Sequence, residues 1–223
     1  MRKPLAVTFV VLAAGALLLN AAWPPAALAR SVSRRNGLPA APRGWAPPVK
    51  SNRWECIVVH HSATDFGGAR RFDKGHKNKG WDGLGYHFVI GNGTRSGDGQ
   101  VEVTARWPAQ KWGAHAKTAD NRFNEQGIGI CLVGNFDLDR PTPAQLQSLA
   151  RLTAHLMQTY RIPAANVVGH RDTKATECPG RYVNLAAVRQ MATQALAANN
   201  ATPTPAHAQA QTASTELLTD LAP

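Results

Sequence analysis

Short strand-forming runs alternate with helical patterns along the middle of the chain, and this alternation restricts the fold most. The runs ECIVVHH and YHFVIG predict strands near residues 54–61 and 85–91, because β-branched and aromatic residues are bounded there by turn formers. A third run, GIGICLVGNF, is apolar without alternation, as in a strand buried on both faces. The pattern predicts an α/β fold: a single domain with a central mixed β-sheet flanked by helices.

Helical patterns separate and follow these strands. In TPAQLQSLARLTAHLMQTYRI, Thr142 is expected to cap the helix, Pro143 takes the first helical position and Gln145 completes a capping box. A helix of about three turns is predicted in GGARRFDKGHKNKG, and a second amphipathic helix is predicted after Asn184. The glycine-rich GNGTRSGDG lacks the ending and the following helix of a phosphate-binding loop, so we interpret it as a hairpin turn.

The first residues have the pattern of a secretory signal peptide. Two basic residues, Arg2 and Lys3, precede a short apolar segment, and small residues lead to a cleavage site after Ala29. A membrane anchor is the alternative, but a spanning helix needs about 20 apolar residues. Because Pro24 and Pro25 interrupt the segment early, we expect residues 1–29 to be removed and the protein to be exported, to the periplasm or the medium, with no membrane span left.

Composition sets the remaining boundaries and the kind of partner. Residues 30–50 are rich in Pro, Ala and Arg and predict an extended lead-in, residues 51–196 form the working domain, and residues 197–223 are a low-complexity tail expected to be disordered. The formal charge of +11 favours an anionic partner. No nucleic-acid motif is present, so a carboxylate-rich cell envelope is the expected one.

The three cysteines occupy two kinds of environment. Cys56 and Cys131 lie in apolar, strand-like runs, where a thiol is usually a small buried hydrophobe, although a disulfide between the two stays open. Cys178 lies instead among polar residues in GHRDTKATECPG, eight residues after His170. Imidazole and thiolate are natural zinc ligands, and a catalytic zinc takes three protein ligands with one position open.

The third ligand has to come from the other histidines, of which four stay open as candidates: His60, His61, His87 and His115. His60 and His61 end the first strand, and successive strand side chains point to opposite faces, so only one of the two can bind the metal. Because the preceding residues are apolar on both faces, the pattern does not say which. Two other readings are a polar loop with an incidental thiol, or Cys178 as a nucleophile with a histidine as its base.

Other polar residues have more ordinary expectations. We expect the histidine of the His60–His61 pair that does not bind the metal to be packed or hydrogen-bonded, and the same for His87. His76 is expected to be solvated, and His155 to have an ordinary surface or interface role on its helix. Carboxylates could accept the N–H groups of zinc-binding imidazoles; the candidates are Asp65, Asp82 and Asp172.

Five motifs together carry a family resemblance. IVVHHSAT, GWDGLGYHFVIGNG, GAHA, GIGICLVGNF and GHRDTKATECPG occur in the order and near the spacing of the zinc-dependent N-acetylmuramoyl-L-alanine amidases of the amidase-2 type, which share their fold with peptidoglycan recognition proteins. The resemblance covers about 130 residues, from Trp54 to Val183. It implies one zinc per chain, held by the metal ligands His60, His170 and Cys178.

The same resemblance assigns further roles. Tyr86 matches the active-site tyrosine, as catalytic residue, although a core aromatic is the alternative at this strand position. His115 matches a position lining the substrate groove, with an ordinary loop histidine as the alternative. Thr176 matches a residue that assists the reacting centre; some phage-type members have lysine there, so a neutral hydroxyl replaces a fixed charge.

The implied activity is hydrolysis of the amide between N-acetylmuramic acid and L-alanine in peptidoglycan. Zinc would lower the pKa of water toward neutrality for attack on the lactyl carbonyl, and Tyr86 would stabilise the oxyanion, orient water or pass a proton to the leaving amine. Rival expectations are a binding module of the same fold that does not cleave, and a basic surface-interaction protein with incidental histidines. We expect a monomer whose partner is peptidoglycan or muropeptides.

Overall fold

The computed structural model describes residues 41–51 and 53–201. Within these residues the strands are β1 (Cys56–His61), β2 (Phe88–Ile90), β3 (Val101–Val103), β4 (Gly127–Leu132) and β5 (Val167–Gly169). The α-helices are α1 (Ala69–Asn78), α2 (Arg122–Glu125), α3 (Pro143–Tyr160) and α4 (Leu185–Ala201), and three short 3-10 turns are Arg43–Trp45, Ala164–Asn166 and His170–Asp172.

The described strands form one mixed sheet in the order β3-β2-β4-β1-β5. β1 is parallel to both of its neighbours, β4 and β5, and β2 is parallel to β4. β3 is antiparallel to β2 and closes one edge, so the GNGTRSGDG segment is the predicted hairpin connection. The predicted α/β class with a central mixed sheet is confirmed.

One face of the sheet packs against the two long helices. Ile57 and Val59 of β1 and Ile128 and Ile130 of β4 are fully buried in the main core, which also contains the apolar face of α3 and α4. These are alternate residues along each strand, so their neighbours in sequence point to the opposite face.

That opposite face carries two smaller apolar clusters. Val89 and Cys131 pack with Phe72 of α1, and Val58 packs with Ala116 from the loop before α2. Because this face is also covered, β1 and β4 are apolar on both sides, as the unbroken run in β4 predicts. For the same reason the apolar residues of β1 do not reveal which face carries the site.

Helix α3 begins at the predicted capping box. The Thr142 hydroxyl accepts a hydrogen bond from the Gln145 backbone N–H at 3.0 Å, and the Gln145 side-chain oxygen accepts from the Thr142 N–H at 3.1 Å. The Gln145 amide also donates to the Val133 carbonyl at 2.8 Å. The cap therefore fixes the start of α3 against the end of β4 as well as satisfying its own helix.

The structure differs from the prediction at both ends of the working domain. Trp45 lies in a 3-10 turn and is 5% exposed, and its carbonyl accepts a hydrogen bond from Trp107 Nε1 at 3.0 Å. The described part of the lead-in is therefore not simply extended, because one large apolar ring anchors it to the core. At the other end α4 continues to Ala201, into the predicted tail.

Several predictions fall outside the described residues. These are the signal peptide at 1–29, the first part of the lead-in at 30–40 and the tail from 202 to 223. Among the helices of the described residues, none has the length and hydropathy needed to cross a bilayer.

The buried Trp45 ring gives a stability prediction. We expect Trp45→Ala to lower the free energy of unfolding by about 3–5 kcal/mol, the usual cost of removing a buried aromatic side chain. Trp112→Ala is the matched control, because Trp112 is 46% exposed, and it should change stability by less than about 0.5 kcal/mol. Urea unfolding followed by circular dichroism measures both; equal losses would contradict the packing described for Trp45.

Candidate metal centre

Three potential metal ligands converge on the face of the sheet that carries α1. His60, His170 and Cys178 each offer one ligand atom, and these atoms lie within 4.8 Å of one another. His60 Nδ1 is 3.6 Å from Cys178 Sγ, and the His60 and His170 ring centroids are 4.6 Å apart.

The parallel sheet explains why distant parts of the sequence meet. β1 and β5 pair side by side with Val59 opposite Gly169, so the next residues, His60 and His170, lie near the same edge of the sheet. The loop after His170 then turns back. The Arg171 backbone N–H donates to the Cys178 carbonyl at 2.7 Å, and its guanidinium donates to the Gly180 and Val183 carbonyls, each at 2.9 Å.

The choice between the paired histidines is resolved by strand alternation in the folded chain. The His60 side chain shares the face of Val58, opposite the long helices, and points into the cluster. His61 points the other way, where its Nδ1 accepts a hydrogen bond from the Phe136 N–H at 3.1 Å. The His61 backbone still contributes, because its N–H donates to Cys178 Sγ at 3.4 Å.

Burial controls the protonation of the cluster. It lowers the pKa of His60 well below its usual value, and burial with the nearby Lys174 charge lowers the pKa of His170 to about 4. Both imidazoles are therefore neutral near pH 7 and keep a lone pair for a metal. Burial raises the pKa of the Cys178 thiol to about 11, against the effect of the His61 N–H, so its thiolate form needs a cation beside it.

This donor set fits zinc. Two imidazole nitrogens and one sulfur are one of the ligand sets of catalytic zinc sites, which keep a fourth position open. The ring nitrogen Nε2 of His170 is buried and has no hydrogen-bond partner in the part of the chain that the structure describes. A buried polar atom of this kind normally has a partner, and a bound metal or the molecule it binds would provide one.

Tyr86 lies beside the cluster. Its ring centroid is 5.1 Å from that of His60, and the side chain also packs against the cluster of Cys131 and Leu84. Burial, together with the Cys131 and Cys178 thiols, raises the pKa of Tyr86 well above its usual value. The hydroxyl therefore keeps its proton and can act as a hydrogen-bond donor.

The other two predicted site residues have different surroundings. Thr176 is half-buried in the loop before Cys178, and its hydroxyl accepts from the Cys178 N–H at 3.3 Å. His115 is buried, and its Nδ1 is 3.1 Å from His60 Nε2. Burial, with smaller effects from His87, His170 and Arg106, lowers the pKa of His115 to about 3.

The carboxylates predicted to support the imidazoles lie elsewhere. Asp82 pairs with Arg106 and Lys111, and Asp172 accepts a hydrogen bond from the Gly169 N–H at 2.8 Å. Across the described residues, no hydrogen bond joins the carboxylates of Asp65, Asp82 or Asp172 to an imidazole, so none of these candidates supports a zinc-binding ring. The group that contacts the His60 ring instead is another imidazole, His115.

The remaining histidines divide between correct and incorrect expectations. His87 is packed as predicted, because its Nδ1 accepts from the Gly129 N–H and its Nε2 donates to the Lys111 carbonyl, both at 2.9 Å. His76 was expected to be solvated but is half-buried. Its Nδ1 accepts a hydrogen bond from the Gly85 N–H at 3.1 Å, and its ring packs on Trp81. His155 is half-buried on α3, with its ring 5.7 Å from that of Trp45.

No cysteine of the described residues forms a disulfide. In the register of β1 with β4, Cys56 lies opposite Gly127, whereas Cys131 lies opposite His60. The alternative of a Cys56–Cys131 disulfide is therefore wrong, because the two thiols sit at opposite ends of the strand pair.

Sequence reasoning missed the groups that hold His115 in place. Asn124 Oδ1 accepts hydrogen bonds from the backbone N–H groups of His115 and Ala116, both at 2.8 Å. Gly127 and Gly129 lie on the site face of β4, and a Cβ at Gly129 would lie 2.4 Å from the His115 ring. The alternation of glycine and isoleucine in GIGIC was the available signal, since it places the smallest residues on one face.

The fold and the cluster are those of an α/β protein with a candidate two-histidine, one-cysteine metal centre. Comparisons with known proteins place this fold in a family. Residues 50–181 match the Amidase_2 family model, described as N-acetylmuramoyl-L-alanine amidase. That match spans more than half of the chain, and the chain belongs to this family.

Individual relatives include viral, animal and bacterial proteins. The endolysin of Enterobacteria phage T3 is 37% identical over 134 residues, 56% of this chain and 80% of the endolysin. A peptidoglycan-recognition protein of Drosophila simulans is 29% identical over 183 residues, 78% of this chain and 86% of that protein. The structure of the N-acetylmuramoyl-L-alanine amidase LysC from Clostridium intestinale matches with a TM-score of 0.54 and 32% identity, over 67% of this chain and 93% of LysC. The predicted family and fold are confirmed.

The packed His87 ring makes stability depend on pH. Burial lowers its pKa from 6.5 to about 4, so between these values the unfolded chain binds a proton that the folded chain does not, and stability rises with pH. With a chelator present, His87→Gln should reduce the slope of unfolding free energy against pH by up to about 1.4 kcal/mol per pH unit. Chemical denaturation at several pH values measures it, and an unchanged slope would contradict a neutral, buried His87.

Proposed function

We propose that this protein is a zinc-dependent N-acetylmuramoyl-L-alanine amidase that cleaves peptidoglycan between N-acetylmuramic acid and L-alanine. The observation that carries the proposal is the convergence of His60, His170 and Cys178 in a chain of the amidase family. One zinc ion per chain would be held by these three side chains. When bound, zinc supplies a Lewis acid that polarises a carbonyl and makes water nucleophilic near neutral pH.

The protein residues around this centre prepare it for hydrolysis. The neutral rings of His60 and His170 provide lone pairs, and the His61 N–H donates to Cys178 Sγ, which stabilises negative charge on sulfur. In the proposed reaction water adds to the lactyl carbonyl, the C–N bond breaks, and the amine of L-alanine leaves with a proton. Glycan carrying a lactyl carboxylate and a free peptide are the products.

Tyr86 is the proposed donor to the oxyanion that develops during this attack. Its hydroxyl keeps its proton, and its ring lies against the candidate ligand His60, which puts Tyr86 beside the proposed metal centre. A preorganised donor helps most where charge develops. Thr176 is proposed to assist through its hydroxyl, which lies in the same loop as Cys178. His115 is proposed to line the substrate groove.

A basic cavity provides the proposed route for an anionic substrate. The cavity measures about 890 Å³, and Tyr86 and Ser62 form the wall nearest the cluster. Its cationic lining comes from α1 and the hairpin, with one carboxylate among them; the charged residues are Arg70, Arg71, Lys74, Lys79, Arg95 and Glu102. Such a lining attracts the carboxylates of a peptidoglycan stem peptide.

The proposed substrate also bears on where the protein acts. Peptidoglycan lies outside the cytoplasm, so export by a signal peptide at residues 1–29 agrees with the proposed substrate. We place the protein in the periplasm or the medium, as a monomer. Relatives named as recognition proteins support one rival, a module that binds peptidoglycan without cleaving it, but Cys178 completes the ligand set here and favours catalysis.

Removing the thiolate ligand tests the proposed chemistry. Purified protein should contain one zinc per chain and release peptides bearing a new L-alanine amine from isolated sacculi, and a zinc chelator should stop the release until zinc is restored. Cys178→Ser should lose zinc and reduce peptide release at least about 100-fold. Cys56→Ser is the matched control, because Cys56 lies at the far end of β1 from His60, and it should keep both properties.

Two results would contradict the proposed zinc amidase. Tight binding to sacculi by the zinc-loaded protein with no peptide release would establish the recognition module. Undiminished release by Cys178→Ser, with no zinc in either protein, would remove the metal from the mechanism.

The basic cavity makes a kinetic prediction. The double change Arg71→Gln with Lys74→Gln should raise KM for soluble muropeptide several-fold and leave kcat nearly unchanged, because these charges attract the substrate without touching the reacting bond. The effect should shrink at high salt. The control is Lys50→Gln with Arg151→Gln, which removes the same charge near α3, on the other face of the sheet, and should leave KM unchanged. An equal rise of KM in the two double variants would indicate that net charge, and not the cavity, attracts the substrate.

A further inference from the structure

His115 connects the candidate metal ligand His60 to the backbone of the sheet. Its Nδ1 is 3.1 Å from His60 Nε2, and its Nε2 is 3.1 Å from the Gly127 carbonyl oxygen. The side chain is buried, with 8% of the residue exposed. These two contacts form a linear series from β4, through one imidazole, to a second imidazole on the neighbouring strand.

The chemistry of the Gly127 end fixes the proton positions along this series. A carbonyl oxygen only accepts, so His115 Nε2 must carry a hydrogen. In a neutral imidazole the other nitrogen is then an acceptor, and His60 must donate to it from its own Nε2. The consequence is that His60 Nδ1 has no hydrogen and keeps its lone pair. That nitrogen is the one that faces Cys178 Sγ at 3.6 Å.

The surroundings of His115 hold its ring in one orientation. A Cβ added at Gly113 would lie 2.2 Å from His115 Cδ2, and one added at Gly129 would lie 2.4 Å from the same atom. The ring therefore lies in a narrow slot between Gly113 and Gly129, where any larger residue would clash with it. Asn124 holds the backbone, since its Oδ1 accepts from the His115 N–H at 2.8 Å.

We propose that His115 is a positioning residue that selects the Nε2–H tautomer and the ring orientation of His60, so that His60 Nδ1 is available to the metal. This inference rests on the proposed zinc function. It gives His115 a role that needs no contact with substrate. Outer partners of this kind typically account for 10–100-fold in metal affinity.

A pair of substitutions separates positioning from simple packing. His115→Gln can still accept from His60 with its amide oxygen and donate to Gly127 with its amide nitrogen. His115→Leu fills the slot with a side chain of similar size and can do neither. Zinc affinity, measured by competition with a chromophoric chelator, should fall about 10–100-fold in His115→Leu and less than about 5-fold in His115→Gln. Circular dichroism of the metal-free proteins checks the fold of each.

A measurement on the unaltered protein keeps the test independent of variant folding. Long-range nitrogen–proton correlation NMR distinguishes protonated from unprotonated ring nitrogens. In metal-free protein at neutral pH both His60 and His115 should carry their hydrogen on Nε2. A hydrogen on Nδ1 of either ring would overturn the proposal.

The other outcomes are also decisive. Wild-type zinc affinity in a folded His115→Leu protein, or equal losses in both variants, would overturn positioning. If the protein binds zinc and the two variants differ as expected, yet sacculi release no peptide, the amidase proposal fails and the positioning of His60 stands. If the wild type binds no zinc, both proposals fail.

Discussion

The pairing of β1 with β5 is the interaction on which the candidate site depends. Parallel neighbours end at the same edge of a sheet, so His60 and His170, which are more than 100 positions apart in sequence, come together at that edge. The third candidate ligand, Cys178, returns to that edge because Arg171 hydrogen-bonds backbone carbonyls that follow it. The cluster is thus built on a strand pair and a braced loop, whose geometry the main core maintains.

The two faces of the sheet differ in what they bury. The face covered by α3 and α4 carries large apolar side chains and supplies most of the buried apolar area. On the opposite face, Gly127 and Gly129 carry no side chain to bury, and the ring of His115 lies against Gly129. Neutral histidines replace apolar packing on this face, and each needs its hydrogen bonds satisfied, since an unpaired buried polar group costs about 1–3 kcal/mol.

Much of the fold was accessible from sequence because local signals agree with the tertiary structure. The capping box at Thr142, the apolar run of β4 and the hairpin glycines each specify their element without help from distant residues. Two short strands were not accessible: β3 and β5 have three residues each, and their pairing with β2 and β1 defines them. Trp45 was missed for a similar reason, because its burial depends on Trp107, 62 residues away.

The site shows the same limit. Residue chemistry and motif order point to His60, His170 and Cys178, but the support for His60 comes from a contact with His115 that no local pattern predicts, and the carboxylates expected there bind elsewhere. The central claim is that two imidazoles and one thiolate of this chain share one zinc ion, which X-ray absorption spectroscopy at the zinc edge tests directly. The account predicts one sulfur near 2.3 Å and at least two nitrogens near 2.0 Å, about the usual Zn–S and Zn–N distances. A zinc shell of nitrogen and oxygen without sulfur would contradict it.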